Sequence, residues 1–220
     1  MQDFETEEQQ LEALKKWWKE NSSSLLIGLA IGGFSLAGWN FYNTTKFEHG
    51  IEASDMYVSL VTQAEVSAAG ELDVTNADKL VAAYSDTPYA SLSALVVAKH
   101  EIAAGNVEQA SSRLQWAMDN AIEDEVSVVA RLRLARLMLS QKKYDDVNAL
   151  LSVKHASAFD ALYEELKGDM FVAKGELEQA RIAYDKAINS SNASNRWLQL
   201  KRQDLGDSEL NSSALSEPAA

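Results

Sequence analysis

Three histidines, an acidic triplet and many serines are the residues in this chain best suited to chemistry. His49, His100 and His155 could bind a divalent metal only if the fold gathered them, and none stands at a ligand spacing such as HExxH. Surface or helix-capping roles are expected for all three. Glu123, Asp124 and Glu125 lack the alternating carboxylates and the glycine of a calcium-binding loop. They suit a helix start, where negative charge faces exposed amide groups. No glycine-rich phosphate loop and no nucleophile elbow is present, and the serines cluster in turns and at the C-terminus. The chain has no cysteine, hence no disulfide and no thiol chemistry. No enzyme activity, cofactor or metal is expected.

The elements around these residues are more informative. Leu25 to Tyr42 reads LLIGLAIGGFSLAGWNFY and holds no Asp, Glu, Lys or Arg. As a helix rising about 1.5 Å per residue it spans about 27 Å, close to the hydrocarbon thickness of a bilayer. Its glycines suit a membrane helix better than a soluble one, and it lacks the charged face of an interfacial helix. The Glu- and Gln-rich start, and the bulky Trp39 to Phe41 where a cleavage site would need small residues, argue against a signal peptide. Residues 25–42 are therefore expected to cross a membrane once. Gly28 and Gly32 form a GxxxG spacing that could bring two such helices together.

Lysine bias orients the span. Lys15, Lys16 and Lys19 precede it, whereas Lys46 after it is followed by Glu48, Glu52 and Asp55. The positive-inside rule places residues 1–24 in the cytoplasm and everything after Tyr42 on the far side, a single-pass type II arrangement. The formal charge is −13. Such acidity excludes a general nucleic-acid binder and disfavours docking of the soluble part on anionic lipid.

The exported part reads as all-α. Phe47 to Ala69 forms an amphipathic pattern, helical patterns continue to about Asp204, and strand-like alternation is missing. Residues 206–220 are polar, small and aperiodic, and a disordered tail is expected there. The helical region also repeats. Gly105–Asn106–Val107–Glu108–Gln109–Ala110 aligns with Gly175–Glu176–Leu177–Glu178–Gln179–Ala180, and Lys142 to Val147 takes the same place between them. The turn positions Val107, Tyr144 and Leu177 stand at intervals close to the tetratricopeptide period of about 34 residues. Small residues recur where paired helices would touch: Ala98 and Ala110, Ala135 and Val147, Gly168 and Ala180. Leu80, Ala83 and Pro88 resemble the second half of a further, degenerate unit. Residues 43–205 are thus expected to form a tetratricopeptide-like α-solenoid of helix pairs.

Together, ETEEQQLEALKKWWKEN, the glycine-rich apolar segment, ALVVAKHEIAAGN and LKGDMFVAKGELEQARIAYDKAI resemble the ancillary SecYEG translocon subunit (YfgM) family over about residues 1–205. The resemblance implies an inner-membrane protein with its repeats in the periplasm. It implies association with the SecYEG translocon, the chaperone PpiD and exported client proteins, and help in passing those clients to periplasmic chaperones. It brings no catalytic motif. An alternative reading makes the chain a regulator of an Rcs-type envelope-stress response acting through its cytoplasmic tail.

The resemblance also implies that the first helix of each pair lines a concave protein-binding face. Leu92, Leu95, Lys99 and Ile102 fall there from one unit, and Val129, Leu132, Arg136 and Leu139 from the next. Leu162, Glu165, Asp169 and Val172 follow from the third. The face either stands open as a groove or is covered by the Phe47–Ala69 helix or the helix containing Trp197.

Overall fold

Helices account for every regular element among the described residues, which in this computed structural model are 7–68, 71–191 and 195–206. The C-terminal tail expected beyond Gly206 lies outside them. The chain forms two units, residues 1–52 and 53–220. Helix α1 (Glu7–Val66) runs through both. No proline occurs before Pro88, so nothing removes a backbone donor within α1. The apolar segment and the amphipathic segment, read separately in the sequence, are one uninterrupted helix. Within it lies a stretch long and apolar enough to cross a membrane, none of it buried within the protein. Phe34 is 80% exposed, and nothing lies within 4 Å of the positions a Cβ would take on Gly28 and Gly32.

The second unit is a stack of helix pairs. The end of α1 and α2 (Thr75–Ala83) pack together with α3 (Pro88–Ala104), α3 pairs with α4 (Val107–Asn120), and α5 (Asp124–Ser140) with α6 (Tyr144–Leu151). A short 3₁₀ turn (Ser157–Phe159) leads into α7 (Asp160–Lys174), which pairs with α8 (Leu177–Ser190). Helix α9 (Arg196–Asp204) ends the stack. Val107, Tyr144 and Leu177 are each the first residue of a second helix, as the repeat predicts.

One backbone turn is built three times. Gly105, Lys142 and Gly175 occupy the left-handed region at φ 82°, 60° and 80°. The amides of the next residues, Asn106, Lys143 and Glu176, reach back to the carbonyls of Glu101, Met138 and Phe171 at 2.8, 3.0 and 2.9 Å. This Schellman closure satisfies carbonyls that a helix end leaves unpaired. It also sets the angle at which the second helix departs. Glycine enters the left-handed region without a Cβ clash, whereas Lys142 does so at a cost.

The core is a row of small clusters, as expected when each repeat touches only its neighbours. Leu60, Ala77 and Val97 form one, and Ala53, Leu80, Tyr84 and Ala90 another. Leu114 with Leu134 and Leu137 joins α4 to α5. Leu132, Val147, Leu151, Tyr163 and Leu166 join α5 and α6 to α7. Pro88 opens α3, where its missing N–H costs no helix bond. Ala98, Ala110, Ala135, Val147, Gly168 and Ala180 are all buried at helix–helix contacts, so the small-residue register read from the repeats is the one the fold uses. Polar links tie successive pairs: Arg113 to Asp78 at 2.6 Å, Ser127 to the Met118 carbonyl at 2.7 Å, Tyr144 to the Ala173 carbonyl at 3.1 Å.

Helix α9 closes the stack through Leu198, buried against Tyr184 and Ala187. The Asn195 side chain accepts from the Leu198 amide at its N-terminus. Arg181, buried on α8, donates to the Leu205 and Gly206 carbonyls at 2.7 and 2.9 Å and pairs with Glu178. A guanidinium taken out of water needs such partners, and here they hold the end of α9.

Candidate protein-binding face

The first helices α3 and α5 border two adjoining hollows. One, of about 340 Å³, lies between the end of α1, α3 and α5 and is lined by Tyr57, Val61, Leu92, Leu95 and His100. The other, of about 350 Å³, lies between α3 and α5 over Leu95, Ile102 and Leu137. Lys99 and Arg133 line both, and Arg136 lines the second. Each hollow is large enough for one or two apolar side chains of a partner.

Five of the twelve residues expected on a concave face are therefore brought together: Leu92, Leu95, Lys99, Ile102 and Arg136. Ile102 is 44% exposed and Leu95 only 7%, so Ile102 forms the accessible lip and Leu95 the floor. Tyr57 meets Tyr89 of α3 with ring centroids 5.6 Å apart, which sets one wall. The end of α1 thus borders this face without filling it.

The other expected residues separate. Leu132 is 2% exposed and sits in the core shared with α6 and α7, where Leu139 also packs. Val129 packs against the cluster shared with α3 and α4. Leu162 and Val172 are exposed on α7 outside both hollows. Glu165 and Asp169 are taken by α9: the Lys201 ammonium donates to Glu165 at 2.8 Å and to the two Asp169 oxygens at 2.9 and 3.0 Å. The helix containing Trp197 therefore covers the charged positions of the third unit.

Asp169 carries a second bond, from the Tyr184 hydroxyl at 2.7 Å. Burial raises the pKa of that phenol, and the adjacent Asp169 and Glu165 charges raise it further. Burial alone would lower the pKa of Lys201, but its bonds to Asp169 and Glu165 outweigh burial and raise it.

Sequence reasoning missed Arg133. On α5 the face turned toward α3 carries Arg133, Arg136, Leu137 and Ser140, while Leu132, Ala135 and Leu139 turn toward α6 and α7. The signal was present as an i, i+3 pair of arginines. A central helix in a stack has apolar residues on both sides, so apolarity alone does not say which side is open.

The histidines do not converge. His155 stacks on Tyr163 with centroids 3.6 Å apart and meets Asp160 at 3.2 Å, whereas His100 is half-buried on α3. No cluster of three metal-ligating side chains occurs among the described residues. Glu123 stands at the N-cap position of α5 without a side-chain bond to its amides, and Asp124 and Glu125 lie in the first turn, so the acidic triplet falls at a helix start as expected.

A tetratricopeptide repeat-like domain model matches residues 15–207. An ancillary SecYEG translocon subunit of Escherichia coli (strain K12) is 27% identical, the match covering 93% of this chain and 99% of that protein. The protein of the same name from Haemophilus influenzae is 27% identical over 84% of this chain and 89% of its own length. That from Neisseria gonorrhoeae is 26% identical over 83% and 87%. No solved structure gives a significant match. The resemblance read from the acidic start, the apolar segment and the repeats is thus borne out over most of the chain, which belongs to the tetratricopeptide repeat-like domain family together with the ancillary SecYEG translocon subunits.

Proposed function

We propose that this protein is a membrane-anchored periplasmic scaffold at the SecYEG translocon. In this reading residues 1–24 are cytoplasmic, 25–42 span the inner membrane and 43–205 form the periplasmic repeat domain. The domain binds protein partners, among them a PpiD-type chaperone, and helps pass newly exported proteins to periplasmic chaperones. The observation that carries the reading is the open face of α3 and α5, with Ile102 at its lip, in a chain that also has an uncovered apolar helix near its N-terminus. The translocon comes from the relatives, which are ancillary SecYEG translocon subunits. The mechanism is tethering: an anchor beside the exit confines the groove there and raises its effective concentration for emerging chains. No step requires a covalent change in the partner, so the role is binding rather than catalysis.

Photo-crosslinking in native inner membranes tests this. A photoreactive residue at Ile102 should capture translocon subunits, a periplasmic chaperone or exported chains. The same probe at Ile182, exposed on α8 away from both hollows, should not. Capture from Ile182 alone, or from neither position, would refute the scaffold reading.

A further inference from the structure

The hollow between α3 and α5 carries one sign of charge. Lys99, Arg133 and Arg136 line the hollow between α3 and α5, and no carboxylate lines it; Glu65 is the carboxylate at the adjoining hollow. Several cations elsewhere are matched, Arg113 with Asp78, Arg202 with Asp185, Lys201 with Glu165 and Asp169. Lys99, Arg133 and Arg136 make no ion pair or hydrogen bond among the described residues. What sets this hollow apart is that three such cations gather around one apolar floor with no carboxylate beside them, in a chain of formal charge −13.

That arrangement selects its occupant. A purely apolar segment pressed onto Leu95 and Ile102 would strip water from the three cations and return nothing. A basic segment would add like-charge repulsion. A segment with carboxylates beside its apolar side chains restores what is lost, because each arginine can grip a carboxylate through two parallel N–H donors. Arg133 and Arg136 stand at i and i+3, hence on one side of α5, with Lys99 facing them from α3. We propose that this hollow takes an acidic amphipathic helix of a partner protein, its apolar side chains over Leu95 and Ile102 and its Asp or Glu residues against Lys99, Arg133 and Arg136. The proposal rests on the scaffold reading and names the class of segment that the scaffold holds.

Fluorescence anisotropy tests it with the full chain in a non-ionic detergent. The probes are two labelled amphipathic peptides of about four turns, with leucines on one face and either glutamates or lysines beside them. The glutamate peptide should bind about tenfold more tightly than the lysine peptide, and added salt should shrink the gap. Arg133→Glu with Arg136→Glu should abolish or invert the preference, and Arg133→Lys with Arg136→Lys should keep most of it. All these side chains are exposed, and circular dichroism verifies folding. Equal binding of the two peptides, or an unchanged preference in the Glu variant, overturns the proposal. If Ile102 still crosslinks partners in membranes, that result leaves the scaffold reading standing; if those crosslinks are absent too, both readings fall.

Discussion

A Cβ built on Gly168 would stand 2.3 Å from Cε1 of Tyr184. No real Cβ contact is that close, so α7 and α8 approach only because residue 168 has no side chain. Tyr184 cannot step aside: it is 3% exposed and its hydroxyl is bonded to Asp169. Gly168→Ala should therefore overpack the contact and cost about 1–3 kcal/mol, despite the higher helix propensity of alanine. In the double variant Gly168→Ala with Tyr184→Leu, the cost should fall below the sum of the two single costs. Thermal melts of the four proteins measure this, and simple additivity would show that the contact is not the source.

The repeated turn allows a gain in stability. Lys142 holds the left-handed conformation that Gly105 and Gly175 hold in the sister turns. Lys142→Gly should stabilise the domain by about 0.5–1 kcal/mol, the strain relieved outweighing the extra freedom of the unfolded chain. Gly175→Ala should destabilise it by about 1 kcal/mol. Urea titrations showing both changes with the same sign would refute the assignment.

These positions show what can be read from a repeat. The starts at Val107, Tyr144 and Leu177 were legible because small residues recur at fixed distances from each turn, and the fold must meet them at the same contacts. The continuity of α1 was not. Its pattern changes from apolar to amphipathic near Tyr42, yet helix hydrogen bonds are local and do not depend on that pattern. Nor was the hold of Lys201 on Glu165 and Asp169, which joins groups more than thirty residues apart and depends on where a nine-residue helix docks. Of the residues expected on a concave face, those of α3 line the hollows, whereas on α5 Arg136 does so and Leu132 packs into the core, because apolar residues lie on both sides of a central helix.

Leu132 distinguishes a groove position from a core position. It is 2% exposed among Val128, Ala135, Val147, Tyr163 and Leu166. Leu132→Ser should cost several kcal/mol, because it leaves a cavity and buries a hydroxyl without a built-in partner. Ile102→Ser, at the exposed lip, should cost about 0.5 kcal/mol or less while weakening partner capture. A folded, stable Leu132→Ser protein with impaired capture would return Leu132 to the groove.

The contacts of α9 should loosen in alkali. Lys201 has a raised pKa in the fold, so its contribution is complete below its unfolded pKa of about 10.4 and is lost as pH rises toward the folded value. Tyr184 has the same sign. Above about pH 10 the unfolded phenol ionises while the folded one retains its proton beside Asp169, which favours the unfolded state. Stability should be insensitive to these two groups between neutrality and about pH 9, then fall. Lys201→Met should flatten part of that fall and lower stability at neutral pH. Melts from pH 7 to 11 with matching slopes in both proteins would remove Lys201 from the account.

Orientation in the membrane can be tested without a partner. Lys15, Lys16 and Lys19 precede the apolar segment, and Glu48, Glu52 and Asp55 follow Lys46 after it. Lysines close to a span are retained on the cytoplasmic side, so residues 1–24 should stay inside and the repeats should face out. Protease added to intact spheroplasts should then digest the repeat domain and leave a short N-terminal fragment. The short turns at Gly105, Lys142 and Gly175 are closed by backbone bonds, so the first cuts should fall outside them, in the links between helix pairs. Moving the lysines should reverse the pattern: Lys15, Lys16 and Lys19 changed to Gln, with three lysines placed after Tyr42, should protect the domain. A repeat domain that resists protease in intact spheroplasts, but is cut once they are lysed, would place it in the cytoplasm and remove the periplasmic scaffold with it.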